Sequence, residues 1–371
     1  MSGRVPRRSS EVALAVVMCA VIGACSVSRA QGTTTAERPQ PGTSRPTSSV
    51  VSHHPVITRA PWGNDPRGLN LVVIPDTSYR VRVVLAHDSV GSLETVSSMC
   101  RRTQGCIAGV NGDFFTASGV IGVSVDNCRA LVTPKIPHTF VDLDTHALAE
   151  PYSWAATLTG SHGPAVQVGQ LNRAVTGEST LFTLERSRPT PRDAMRTDLV
   201  LRGSPVLSAT KVSQRLTVAR VVRGGGVTPR RGEVVLSTTD HLSWPVGSTV
   251  TLRINATSGC DLVGGHPALV LHSQVAEFSP RDTVMLEPHP RTAIGWDKQG
   301  RTLLVTVDGT AGHPGATAPK LAQWLLDHGA VTAMNLDGGG STVFFANNRV
   351  INSPADGAER PVAQALLVVP R

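Results

Sequence analysis

Thr302-Leu303-Leu304-Val305-Thr306-Val307-Asp308-Gly309, followed later by Val331-Thr332-Ala333-Met334-Asn335-Leu336-Asp337-Gly338-Gly339-Gly340-Ser341, decides the fold. Each is a short, nearly continuous apolar run closed by Asp-Gly, the pattern of a buried strand ending in a turn. Between them the sequence predicts a helix: Thr317 as N-cap, Pro319 in the first turn, Leu321, Trp324, Leu325 and Leu326 on one face, and Gly329 as the stop. Strand, helix, strand at this spacing predicts a βαβ unit with parallel strands. Parallel strands finish at one edge of the sheet, so Asp308 and Asp337 are expected at the same carboxyl edge, where α/β proteins commonly place ligands.

Outward from this unit, Ile107-Ala108-Gly109-Val110 reads as a short strand that stops at Asn111-Gly112-Asp113-Phe114-Phe115. Residues 69–74 and 79–86 are β-rich and predict a hairpin about Pro75-Asp76-Thr77-Ser78, and 93–100 predicts a short helix. From about 140 to 284, short β-branched runs bounded by Gly and Pro predict antiparallel sheet, for example 216–222, 232–236, 249–254 and 268–271. The runs thus describe a sheet-rich chain with a C-terminal βαβ unit carrying the site.

The N-terminus is organised differently. Arg4, Arg7 and Arg8 precede the apolar run 12–18, too short to span a bilayer and right for a signal peptide. It leads into Ile22-Gly23-Ala24-Cys25-Ser26, a lipobox-like end that makes Cys25 the candidate lipidation site. Residues 26–55 are rich in Ser, Thr and Pro with almost no large apolar side chain, so they read as a tether. The folded domain is expected at 56–371, with about 140–260 its β-rich middle. The chain is thus expected to be exported, either anchored to the membrane by lipid or secreted. Of six cysteines, Cys19 lies in the leader; Cys100, Cys106, Cys128 and Cys260 remain as an even set. Three pairings are open, and Cys100–Cys106 with Cys128–Cys260 is the one we favour.

With 17% charged residues and a formal net charge of +8, the chain is attracted to anions in general. No Lys/Arg cluster is interleaved with aromatics, which argues against nucleic acid as a partner. The oligomeric state is not readable from the sequence.

Four signals carry chemistry. Asp308 and Asp337 can serve as an acid/base or nucleophilic pair for glycoside hydrolysis, as ligands of a divalent cation, or as plain turn residues. Gly338, Gly339, Gly340 and Ser341 form a loop able to present N–H groups to an anion. Asn111 and Asp113 sit at a strand end beside two phenylalanines and can hydrogen-bond a sugar. Arg291, in Arg291-Thr292-Ala293-Ile294-Gly295, has the fork geometry for a phosphate.

Taken in order, these pieces resemble the phosphodiester glycosidase family. The matching stretches are NGDFF at 111–115, GGHPALV at 264–270, RTAIG at 291–295, TLLVTVDG at 302–309, GATAPKLAQWLLDHGA at 315–330, NLDGGGSTVF at 335–344 and INSPADGAERPV at 351–362. The resemblance implies a mixed α/β (α+β) fold, a large mixed sheet with few helices, and hydrolysis of a bond between an anomeric carbon and a phosphate oxygen in a phosphorylated glycan or sugar phosphodiester. It also implies that Arg291 holds phosphate, that Asp308 and Asp337 are the reacting pair, and that Asn111, Asp113 and the 338–341 loop position substrate. No cofactor is required by this chemistry, although a divalent cation remains compatible with the carboxylates. Family members often carry Thr-Leu-x-Glu-Leu-Ala where this chain has Thr317-Ala318-Pro319-Lys320-Leu321-Ala322, so Lys320 reverses a charge. His266 and His313 stand near matched motifs. Two other readings compete: a glycan-binding lipoprotein without catalysis, and a phosphodiesterase using a metal bound by Asp113, Asp308 and Asp337.

Overall fold

The computed structural model describes residues 53–371 apart from 137, 150, 162, 258 and 311. The leader, the lipobox-like Cys25 and all of the tether but its last three residues lie outside the described residues. Strand dominates, with three α-helices among the described residues, in keeping with the sheet-rich mixed class expected from sequence.

The site-bearing layer is a seven-stranded sheet. Its order is Val56–Trp62, Asp65–Ile74, Thr302–Val307, Arg291–Asp297, Ala330–Asn335, Ala268–Leu271 and Gln274–Val275. The predicted unit is present, with one difference: Thr302–Val307 and Ala330–Asn335 run the same way but are not neighbours. Arg291–Asp297 lies between them, antiparallel to both. A chain rule on crossover direction fixes relative sense, but nothing local says which strand fills the gap. The ends of both runs still fall at one edge, together with the start of Arg291–Asp297.

The helix Ala318–Asp327 forms as expected, with the Thr317 side chain accepting from the Lys320 N–H at 3.2 Å. Ala318, Leu321, Ala322 and Leu325 bury against Leu269, Val270, Leu303, Val305 and Ala333 on one sheet face. Period-two alternation sends Leu304, Ile294, Trp296 and Met334 to the opposite face. There they meet Val81, Val83, Val110, Leu366 and Val368 of a five-stranded sheet. That sheet in turn covers the helix Val96–Arg102 through Met99, Cys100, Ala365 and Leu367.

This layering corrects the predicted hairpin. Asp65–Ile74 pairs in the seven-stranded sheet and Tyr79–Leu85 pairs with Gln364–Pro370 in the five-stranded one. The 75–78 turn crosses between layers, so Val72 and Ile74 face Val81 and Val83 across the core without sharing a ladder. Both arrangements bury the same alternate residues, which is why the sequence pattern alone does not separate them.

The middle of the chain forms an eight-stranded sheet, antiparallel except where Gln170–Leu171 meets Thr180–Phe182. Two disulfides, Cys100–Cys106 and Cys128–Cys260, take the favoured pairing. The second joins residues 132 positions apart, so it removes much chain entropy from the unfolded state. Replacing Cys128 and Cys260 by Ser is expected to lower stability by about 4 kcal/mol in denaturant unfolding, the Cys100–Cys106 pair less because its loop is short.

Candidate active site

At the shared edge, Arg291 pairs with Val307 and Ala293 with Asn335. Strands two places apart lie roughly 10 Å apart, so Asp308 and Asp337 leave the sheet in separate surroundings.

Asp337 is partly buried, with its main-chain N–H on Gly112 O at 3.0 Å. Its carboxyl is pushed up to about 6, chiefly by burial and further by the charge of Asp113. The Ser341 side chain, the Gly338 N–H and the charge of Arg360 pull the other way. A carboxyl titrating near 6 exchanges a proton close to neutrality, the condition for acid/base work. The loop after it is tightly built: Gly338 N–H donates to Asp337 Oδ1 at 2.9 Å, Gly339 N–H to Pro290 O at 2.9 Å and Ser341 N–H to Gly338 O at 3.1 Å. These three N–H groups are thus engaged within the chain, which narrows the expectation that the loop donates several to an anion. Gly339 takes φ +58, and a Cβ on Gly340 would lie 2.1 Å from Arg360 Nη2, so neither position accepts a side chain without rearrangement.

Asn111 and Asp113 are placed otherwise than expected. Both are buried and their polar atoms face protein. Asn111 Nδ2 donates to Asp337 O at 2.7 Å, while Asn111 Oδ1 accepts from Thr292 Oγ1 at 2.7 Å and from Val343 N–H at 3.2 Å. It ties three strand ends together behind Asp337. Asp113 accepts from Phe114 N–H at 2.8 Å and Gly122 N–H at 2.7 Å, and its Oδ1 lies 3.1 Å from His138 Nε2. Both oxygens of its carboxylate therefore face protein groups, His138 among them, and its charge adds to the upward push on Asp337.

Asp308 is also buried and also pushed up, first by burial and then by Asp65. It accepts from Asn352 Nδ2 at 3.0 Å and from Ser353 N–H at 2.9 Å. Asn352 also donates to Thr342 O and accepts from Phe344 N–H. Asp308 thereby pins the 351–353 turn onto the segment that follows the glycine-rich loop. It borders a cavity of about 580 Å³ lined also by Trp62, Asp65, His313, Lys320 and Trp324. A Cβ on Gly309 would lie 2.6 Å from Pro290, and one on Gly338 would lie 2.6 Å from Pro290 O. Pro290 is thus packed closely against both Gly309, which follows Asp308, and Gly338, which follows Asp337.

Arg291 departs most from its expected role. Only 2% exposed, it donates from Nε to Ala316 O at 2.9 Å and from Nη2 to Val284 O at 2.6 Å and Glu287 O at 2.9 Å. Nη1 lies 3.2 Å from Met285 Sδ. Burial pushes its pKa down to about 10 against the opposing charge of Asp282. The guanidinium braces the loops around the site, and its fork is filled by carbonyls where the sequence predicted a phosphate.

The cation whose charge acts on Asp337 is Arg360. Held by Asp356 at 2.6 Å, with its side chain 43% exposed, it passes over Gly340. It sits in the quoted 351–362 stretch, as does Asn352, but charge alone does not distinguish it from the chain's many other arginines. His138 lies in 135–140, which carries no motif, so only the three-dimensional meeting with Asp113 reveals it. Among the described residues, no group of three or more His, Cys, Asp or Glu stands together as a metal site, so Asp113, Asp308 and Asp337 do not form one.

Residues 196–369 match the family model described as phosphodiester glycosidase. That segment thus carries a phosphodiester glycosidase family domain, as the resemblance read from the sequence implied. Over 66 residues the chain is 41% identical to the bovine (Bos taurus) N-acetylglucosamine-1-phosphodiester alpha-N-acetylglucosaminidase, covering 18% of this chain and 12% of that protein. The chain therefore spans only about an eighth of the length of that relative. A hypothetical protein from Synechocystis shares the fold with a TM-score of 0.67 and 19% identity, over 82% of this chain and 59% of the other. A putative exported protein from Burkholderia pseudomallei does so with a TM-score of 0.64 and 20% identity, over 81% of this chain and 74% of the other.

Proposed function

We propose that this protein is an exported hydrolase that breaks the bond between an anomeric carbon and a phosphate oxygen in an extracytoplasmic glycan. The observation that carries the reading is Asp337, a carboxyl raised to about 6, set at the strand edge within the field of the half-exposed, Asp356-paired guanidinium of Arg360. Water adds at the anomeric carbon and Asp337 takes its proton. The carbon–oxygen bond to phosphate breaks with its electron pair on the phosphate oxygen, and Arg360 balances the charge that develops there. A phosphate leaves readily, so the site needs charge stabilisation more than a strong acid. Arg291, Asn111 and Asp308 act as positioning residues that fix the strand ends and loops around Asp337.

The cavity bordered by Asp308 suits a saccharide unit, with Trp62 and Trp324 as apolar faces and Asp65, His313 and Lys320 as polar contacts. Export is supported by the signal-peptide pattern and by two disulfides, which persist in oxidising compartments; lipidation at Cys25 would hold the enzyme on the outer face of the membrane.

The reading is tested by free-sugar release from a panel of sugar-1-phosphodiesters. Release is expected, and it is expected to survive exhaustive chelation. Loss on chelation, restored by a divalent cation, would replace it with the metal-dependent phosphodiesterase reading. No release from any substrate, with glycan binding retained, would favour the binding-module reading. Arg360→Ala is expected to lower kcat/KM by about a hundredfold, the loss of a charge-assisted contact of 2–3 kcal/mol, with an unchanged Tm.

A further inference from the structure

The outer face of the eight-stranded sheet gathers three cations far along the chain from the site. Registers Ser213↔Arg253, Arg215↔Thr251, Thr157↔Arg253 and Thr159↔Thr251 set which side chains stand side by side. The alternate positions Leu158, Leu216, Leu252 and Ile254 fill the core beneath. Period two therefore turns Arg215 and Arg253 outward among Thr and Ser hydroxyls. Lys211 joins them where it lines, with Thr157, Ser213, Arg253 and Asn255, a shallow depression of about 620 Å³. Lys211, Arg215 and Arg253 are all exposed.

Arg215 and Arg253 are diagonal neighbours on adjacent strands, a spacing of roughly 7–8 Å at which like charges repel. Among the described residues, none of the three cations has an ion-pair partner. Hydroxyl and amide donors surround them, and no carboxylate interrupts the patch formed by these paired positions. The strands hold Arg215 and Arg253 in fixed register and Lys211 immediately precedes the strand Val212–Gly225, so the face presents a cationic surface to an anion that repeats along a chain.

We propose that this face binds a second stretch of the phosphate-bearing glycan, holding the polymer while another part of it occupies the Asp337 site. The occupant follows from charge complementarity and rests on the reading of the substrate as a phosphodiester glycan.

The test is retention of the full chain on immobilised long-chain inorganic polyphosphate across a salt series, beside a Lys211→Gln, Arg215→Gln, Arg253→Gln triple variant. The variant is expected to bind at least about tenfold more weakly near physiological salt. Its log–log salt slope should fall by about 2, the loss of three contacts to a flexible polyanion. Sugar release from a small sugar-1-phosphodiester should be unchanged. Equal retention of variant and wild type would overturn the proposal. So would stronger, variant-sensitive binding to phosphatidylglycerol vesicles than to polyphosphate, which would make the face a membrane contact. Absence of sugar release by the wild type, with variant-sensitive polyphosphate binding intact, would remove the hydrolase reading and leave this face as a polyphosphate-binding surface.

Discussion

Replacing Asp337 by Asn is expected to cut sugar release by at least about a thousandfold and at the same time to raise the melting temperature above pH 7. The activity loss follows from removing the only group assigned to take the proton of water. The stability gain follows from linkage. Burial and the Asp113 charge raise the Asp337 carboxyl from 3.8 to about 6 in the folded protein. Between these values the folded state holds the proton while the unfolded state has released it, so stability falls as pH rises from about 4 to 6. Above 6 both states are ionised and the folded protein carries the whole cost of a buried charge, on the order of 2–3 kcal/mol. An amide does not ionise, so the variant avoids that cost, less whatever its weaker hydrogen bonds to Gly338 and Ser341 lose. Melting curves at pH 4 and pH 8 check this: the two proteins should differ little at pH 4, with the variant ahead by a few degrees at pH 8. A variant that melts lower at pH 8 would mean that the ionised carboxylate stabilises the loop.

The second large effect concerns Arg291. Arg291→Ala is expected to lose about 3–5 kcal/mol of stability and to melt some ten degrees lower, or to fail to accumulate. Three carbonyls, of Ala316, Val284 and Glu287, lose their donor, and a buried space opens beside Met285. Arg291→Lys keeps the charge but not the fork, and should lie between Ala and wild type. Material that remains folded should show a near-normal KM, in contrast to Arg360→Ala, which should keep its Tm and lose substrate affinity. An Arg291→Ala protein with wild-type stability and a greatly raised KM would return the phosphate to Arg291.

Much of the fold was legible because its signals are local. The apolar runs ending at Asp308 and Asp337 gave strands, Thr317, Pro319 and Gly329 bounded the helix, and the even set of cysteines left three pairings, of which the favoured one is observed. What stayed hidden depends on partners distant in sequence. The strand 291–297 inserting between 302–307 and 330–335 leaves no local trace, nor does the 75–78 turn reveal that it changes layers. In the site, the motif residues were found, but side-chain direction was not. Asn111, Asp113 and Arg291 carry the polar types of ligand-binding residues and engage them with the backbone and side chains of neighbouring segments. Arg360 and His138 matter because of what they meet in space, Asp337 and Asp113, more than 20 residues away in sequence in each case.

Which bond breaks separates attack at the anomeric carbon from attack at phosphorus. Hydrolysis of a sugar-1-phosphodiester in water enriched in heavy oxygen, read by mass spectrometry, places the label on one product. Label is expected on the anomeric hydroxyl of the released sugar and none on the phosphate, since water attacks carbon. Label on the phosphate would mean attack at phosphorus, and would contradict a glycosidase at Asp337.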